Sequence, residues 1–241
     1  MALFVPQLAF LSREPWRRKA DRQRVRRVRV TQEDGLVQVV VEYSHPLARG
    51  PQVVRYAVNG DGDVQVSHTL RPRKNMRRLG MTMTIPKSYD KVCWYGRGPH
   101  ENYPDRKASA RLTQHSLPAA EIPHAYVVPQ DNGNRTDVRW VRLSSPQATI
   151  QVSDAAGTSL AFSLWPYTQQ DLAGADHVHE LVERDELTLN IDLQNGGVSG
   201  HTFTYRHDDR YAPGKGQTYH YSFILRQRKG YTGGNYSAGR H

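Results

Sequence analysis

The residues best equipped for chemistry crowd into Trp94 to Arg111, read as WYGRGPHENYPDRKASAR. Three aromatics, two glycines, two prolines, a histidine, carboxylates and several arginines share one short segment. A second dense stretch, Pro129 to Asp137, reads PQDNGNRTD. Carboxylate pairs are the first chemistry to consider, because hydrolysing a glycosidic bond takes two carboxyl groups flanking it. The candidates are Glu101, Asp105, Asp131 and Asp137, and none is spaced to mark an acid/base pair. Metal binding is the second. His177-Val178-His179 puts two imidazoles on one face of an extended segment, with Asp176 and Glu180 beside them, but no third ligand stands out. Aromatic recognition is the third. Trp94, Tyr95, Tyr103, Tyr126, Trp140, Trp165 and Tyr167 lie in or beside the dense stretches, and aromatic faces next to Asn, Asp and Arg suit sugar rings. The opposing reading of all these residues is structural: a corner held by ion pairs, and aromatics that fill a core.

The elements that must position these groups read as strands. Val, Thr and Tyr are plentiful and apolar runs of helical spacing are scarce, which favours an all-β fold. Strands are expected over Arg24–Thr31, Leu36–Tyr43, Val53–Val58, Val64–Arg71, Met81–Ile85 and Lys91–Tyr95. More follow over Arg139–Ser144, Ala148–Ser153, Leu160–Trp165, Leu187–Leu193 and Gln217–Arg226. Asp34-Gly35 is a hairpin signal. In the first strand Val28 and Val30 oppose Arg27 and Arg29, so it is expected to be half-buried. Residues 112–117 and 135–138 receive no assignment, Asn75–Gly80 reads as a connection, and Asp131 to Asn134 reads as a turn by composition. Helical turns are expected over Glu14–Arg24 and Tyr167–Ala173.

The 241 residues suit one large β-rich domain. The expected division is an irregular extension over 1–15, the domain over 16–227 and a flexible tail over 228–241. The single cysteine, Cys93, excludes an internal disulfide and a Cys-rich metal site, and reads as a small core residue. The apolar run Ala2 to Leu11 is too short for a membrane span and lacks the flanks of a signal peptide, so a cytoplasmic location is expected. The net charge of +10 is concentrated in an Arg-rich start. Such a cluster could hold phosphates, but no nucleic-acid-binding motif accompanies it, and a solvated Arg face is the expectation.

Several spaced motifs resemble one family. WYGRGPHENYPDR (Trp94 to Arg106), PQDNGNRTDVRW (Pro129 to Trp140), LWPYTQQDLAGADHVHEL (Leu164 to Leu181) and TYHYSFILR (Thr218 to Arg226) resemble the C-terminal domain, or separate small subunit, of the long bacterial β-galactosidases of glycoside hydrolase family 2. Arg77-Arg78-Leu79-Gly80 resembles a further connection of that domain. The resemblance implies an all-β fold, a large antiparallel supersandwich related to galactose mutarotases. It also implies a partner: a large subunit or barrel domain that carries the two catalytic Glu residues and most of the metal ligands. No catalytic residue and no metal ligand is then expected here, although whole enzymes of the family typically use Mg and Na.

Glu101, Asn102, Tyr103, Asp105, Arg106, Asn132, Arg135, His177 and His179 are carried over as motif or pocket-wall residues. The family's sugar-contacting Trp falls in a stretch that reads Gly197 to Thr204 here. Thr204 occupies the Trp position, and His201, Phe203, Thr204 and Tyr205 are the expected substrate-binding residues, Phe203 and Tyr205 being the candidate substitute rings. An active-site loop that the family carries just before the region of Trp16 is replaced by Leu3 to Phe10. A truncated gene product, or a fragment whose large partner is encoded separately, is therefore expected. Three other readings stay open. They are a free-standing carbohydrate-binding module using Tyr103, Trp140 or the Phe203–Tyr205 loop; a mutarotase-like epimerase drawing on Glu101, His177 and His179; and nucleic-acid binding by the Arg-rich start.

Overall fold

The computed structural model describes residues 22–198 and 209–229. The proposed Glu14–Arg24 helix lies almost wholly outside them, as do the 1–15 extension and most of the tail. Within them, alternation of apolar and polar residues is expressed as thirteen strands. These are β1 (Arg24–Glu33), β2 (Leu36–Ser44), β3 (Gln52–Val58), β4 (Val64–Leu70), β5 (Arg78–Pro86), β6 (Lys91–Gly98), β7 (Arg111–Pro118), β8 (Arg135–Val138), β9 (Trp140–Ser144), β10 (Ala148–Asp154), β11 (Leu160–Trp165), β12 (Glu186–Asn195) and β13 (Tyr219–Lys229). Asp34 and Gly35 both take positive φ, +47° and +76°, as a two-residue turn that follows the strand twist requires.

Nine strands form one antiparallel sheet in the order β1-β2-β3-β4-β13-β10-β9-β6-β7, and β5-β12-β11-β8 form the other. The inner faces meet in a single apolar cluster. Val92 and Trp94 of β6, Val141 and Leu143 of β9, and Phe223 of β13 pack with Met81 and Met83 of β5, Phe162 and Leu164 of β11, and Leu189 and Ile191 of β12. This is an all-β sandwich, as the composition and the resemblance imply. One short helix, α1 (Gln169–Gly174), interrupts the strands. Thr168 caps it by accepting from the Asp171 N–H, while the Asp171 carboxylate accepts from the Thr168 N–H.

Five readings of the sequence need correction. β7 was not read as a strand: it is an edge strand whose residues are mostly exposed, so its sequence (RLTQHSLP) has no apolar alternation. β8 follows directly on the Asp131–Asn134 turn and has no strand signal in the sequence, because Arg135, Thr136 and Asp137 are polar, and yet it pairs with β11. The Asn75–Gly80 connection already contains the first residues of β5. β1 is present but not half-buried. All ten of its residues are exposed, because no part of the four-stranded sheet lies over it. Cys93 is only half-buried and points away from the core, on the face opposite Val92 and Trp94.

The inner face of β4 also buries a titratable group. His68 is 1% exposed and its Nε2 accepts from the Gln52 side-chain amide at 2.7 Å, which makes the ring neutral. Burial alone pushes its pKa down to about 3. The unfolded chain, with a value of about 6.5, then binds a proton that the native state refuses. His68 should therefore cost the protein about 1.4 kcal/mol of stability for each pH unit from about 6.5 down toward 3. We expect His68→Leu to lower stability at neutral pH, since Gln52 loses its partner, and to remove that acid-side slope. Urea unfolding of both proteins at pH 4, 5, 6 and 7 checks this: parallel profiles would contradict it.

Candidate functional site

The two dense stretches are brought together at one end of the sandwich. β6 delivers the first. Trp94, fully buried, donates from Nε1 to the carbonyl of Arg97 at 3.1 Å. A Cβ on Gly98 would come within 2.8 Å of the Trp94 ring and 2.9 Å of His115, so only glycine lets the chain leave the strand there. The following loop is then stitched to β8. The Asn102 N–H donates to the Asn134 carbonyl at 2.8 Å, and the Asn134 side chain donates back to the Asn102 carbonyl at 2.8 Å. The Asn102 Oδ1 accepts from the Thr136 N–H at 2.9 Å and from the Thr136 hydroxyl at 2.6 Å.

Glu101 sits at the centre of this corner. One carboxylate oxygen accepts from Arg106 Nη2 at 2.6 Å and from the Tyr126 hydroxyl. The other accepts from the Gly133 N–H at 2.8 Å and faces the Tyr103 hydroxyl at 3.4 Å. Gly133 takes φ +67°, and a Cβ there would meet the Ile122 carbonyl at 2.6 Å. Beneath lies Arg135, buried, donating to the carbonyls of Gly133 at 2.7 Å and Ile122 at 3.3 Å, with its guanidinium over the Trp94 ring. Burial pulls its pKa down to about 10, opposed by Glu101 and Tyr103. An open pocket of 580 Å³ lies over this corner, lined by Glu101, Arg106, Arg135, His100, His124 and Tyr126 among others.

The remaining carried-over residues divide. Asn132 holds the second stretch in shape: it accepts from the His124 N–H at 2.9 Å, and its carbonyl accepts from Trp165 Nε1 at 2.9 Å. Asp105 reaches elsewhere and accepts from the Val198 N–H at 3.2 Å. Tyr103 is fully buried under the Arg106 guanidinium, so it has no face for a sugar ring. Trp140 is half-buried and already covered by the guanidinium of Arg142, which Gln151 fixes. His177 and His179 stack on each other, and His177 faces Glu180 at 3.2 Å on an exposed turn. They do not line the pocket of Glu101, where the imidazoles are those of His100 and His124. His201, Phe203, Thr204 and Tyr205 lie outside the described residues.

One functional-looking cluster was missed from sequence. Arg78 (2% exposed) donates from Nε to Asp192 Oδ2 at 2.8 Å and reaches Asp131 at 3.5 Å, over the ring of Trp165. Asp192 stands opposite Gly80 in the β5–β12 ladder, and a Cβ on Gly80 would fall 1.6 Å from its Oδ1. The resemblance had singled out Arg78 and Gly80, but only the strand pairing reveals Asp192 as their partner.

Among the described residues, no group of three or more His, Cys, Asp and Glu side chains is placed to hold a metal. The Mg and Na of the resemblance do not fit the carboxylates present: Asp131 and Asp192 face Arg78, and Asp137 faces Arg97 and Lys107. No helix among the described residues is long and apolar enough to cross a membrane.

Comparison with known proteins bears on this corner. The β-galactosidase of Priestia megaterium is 32% identical over 190 residues, 78% of this chain but 18% of that protein. The β-galactosidase of Vibrio vulnificus strain YJ016 is 32% identical over 200 residues, 80% of this chain and 17% of that protein. The chain thus spans less than a fifth of the length of these relatives. A galactose 1-epimerase structure from Lactobacillus acidophilus NCFM overlays with a TM-score of 0.48 at 9% identity, covering 85% of this chain and 66% of that one. Residues 9–225 match the profile described as "Beta galactosidase small chain", a span that takes in β1 to β12, the stitched corner and most of β13. The chain belongs to the β-galactosidase small-chain family.

Proposed function

We propose that this protein is the small-chain component of a β-galactosidase. It walls and completes an active site whose catalytic pair stands on a separate barrel, for hydrolysis of terminal β-D-galactosides in carbohydrate catabolism. The observation that carries the reading is how the carboxylates of this family member are engaged. A retaining glycosidase needs a nucleophile and an acid/base about 5–5.5 Å apart, both open to the sugar. Here Glu101 takes Arg106, Tyr126 and the Gly133 N–H. Asp137 takes Arg97 and Lys107, and Asp131 and Asp192 share Arg78. These groups hold a corner rather than attack an anomeric carbon.

In this proposal Glu101, Asn102, Tyr103, Arg106, Asn132 and Arg135 form a rigid frame behind the wall. Asp105 anchors Val198, and the residues assigned to contact the sugar are His201, Phe203, Thr204 and Tyr205. His177 and His179 belong to an outer motif. The partner is a β-galactosidase large subunit or barrel domain, which also supplies the Mg and Na sites, and the place of action is the cytoplasm. The buried ring of Tyr103 and the covered ring of Trp140 weigh against a free-standing sugar-binding module.

The test is hydrolysis of a chromogenic β-galactoside by the purified chain, alone and mixed with a β-galactosidase fragment that lacks the matching stretch. Activity only in the mixture is the expected result. Activity of the chain alone would overturn the reading.

A further inference from the structure

The two sheets are unequal, nine strands against four. β8 lies against β6, so the smaller sheet starts there and runs toward β4, with β5 as its last strand. At about 4.8 Å per strand, four strands span less than half the width of nine. The apolar inner face does not stop where the cover stops. In register, Val54 and Tyr56 of β3 neighbour Val41 and Val39 of β2, which neighbour Val28 and Val30 of β1. Val54 is fully buried and Val41 is 8% exposed, while Val28 and Val30 are 55% and 62% exposed. A core stripe therefore continues in register onto a face that no described strand of the smaller sheet covers. Scattered apolar residues on a surface are ordinary, but a row of valines extending a core in register is a contact surface. Beyond the bulge between Val25 and Arg27, Val25 (57% exposed) pairs with Tyr43 and lengthens the same row, while Arg24, Arg27 and Arg29 lie on the other face.

We propose that this face, with the edge of β5, is where the remainder of a β-galactosidase docks, by contributing strands that finish the smaller sheet. This rests on the reading under Proposed function and deepens it by naming the surface. The occupant is defined by chemistry. It is an extended segment that pairs through its backbone with the β5 edge and turns apolar side chains onto Val25, Val28, Val30 and Val39. The relatives have ample chain to supply it, since this chain corresponds to 18% of the Priestia megaterium protein.

The experiment measures binding of the whole chain to the Priestia megaterium β-galactosidase from which the aligned 190 residues have been removed. Val28→Asp/Val30→Asp is compared with Thr31→Asp/Glu33→Asp, which puts aspartates on the opposite face of β1, and with Val28→Asp alone, which adds the same single charge as Thr31→Asp. β1 is exposed throughout, so all three variants are expected to fold, with urea midpoints close to that of the unaltered chain. The expected result is a more than tenfold weaker complex for Val28→Asp/Val30→Asp, a change within twofold for Thr31→Asp/Glu33→Asp, a weaker complex for Val28→Asp than for that pair, and protection of β1 from deuterium exchange in the unaltered complex. Equal binding by Val28→Asp/Val30→Asp and the unaltered chain would overturn the surface and leave the small-chain reading standing. No binding by the unaltered chain would overturn both. Self-association of the unaltered chain that Val28→Asp/Val30→Asp abolishes would assign the face to a second copy instead. Faster exchange in β1 on deleting residues 2–11 of the isolated chain would assign it to this chain's own start. Either of these last two results also overturns the proposal.

Discussion

Arg78→Met should destabilise the protein by about 3–5 kcal/mol at pH 7, because it strips the cation from two buried carboxylates. Asp192 is 1% exposed and the Asp131 side chain 10%, with Arg78 between them and the Trp165 ring beneath. One guanidinium cannot neutralise both acids. Burial pushes the Asp192 carboxyl up to about 7 despite Arg78, and raises Asp131 as well. The unfolded carboxyl titrates at about 3.9. Between those values the native state holds the proton and the unfolded state does not, so this group's contribution to stability is fully present at low pH and lost as pH rises through about 7. Removing Arg78 deletes the one term that favours the charged forms. The deficit of Arg78→Met should therefore be greatest above pH 7 and shrink toward pH 4 as both acids protonate. Urea unfolding at pH 5 and pH 8 measures it. A loss below about 1 kcal/mol at pH 8 would mean that the cluster is not held by its cation. This slope runs opposite to that of His68 over much of the same range, so the two are separable only through variants, not from the unaltered protein's profile.

The strand alternation made most of the fold legible. Leu160–Trp165 was bounded to the residue because its ends are marked by turn residues and a proline. What alternation cannot say is whether a layer exists to bury the apolar face. For β1 it does not, and the valines that predict a half-buried strand are left bare. β8 was illegible for the opposite reason: polar residues are buried because Asn102 and Ile122 supply partners from distant positions. The density of the two motif stretches was visible in sequence, but their stitching was not, since Asn102 and Asn134 lie 32 positions apart with no period linking them. The His177-Val178-His179 pattern misled in the same way. Spacing suggested a shared metal face, whereas the rings stack and one turns to Glu180.

Asn102 offers the sharpest test of whether the stitching, rather than the bulk of the loop, holds the corner. Its side chain is fully buried and both ends of its amide are engaged: Oδ1 accepts twice from Thr136, and Nδ2 donates to the His100 carbonyl at 3.0 Å. Asn102→Ala leaves the Thr136 N–H and the His100 carbonyl without partners in a dry site, at about 1–3 kcal/mol each. We expect a loss of about 3 kcal/mol in urea unfolding. Asn102→Asp keeps the shape and the two bonds from Thr136, but turns a carboxylate oxygen toward the His100 carbonyl and buries a charge. Its loss should match or exceed that of the alanine variant at pH 7 and diminish as pH falls, because a protonated carboxyl can donate where Nδ2 did. A structural filler would behave differently, with aspartate nearly neutral and alanine costly at every pH. Since Glu101 and Asp105 flank Asn102 in the same loop, both variants should also blunt complementation in the galactoside assay by more than stability alone accounts for. Measuring the mixture at saturating chain concentration separates the two effects, and full activity there would confine Asn102 to folding.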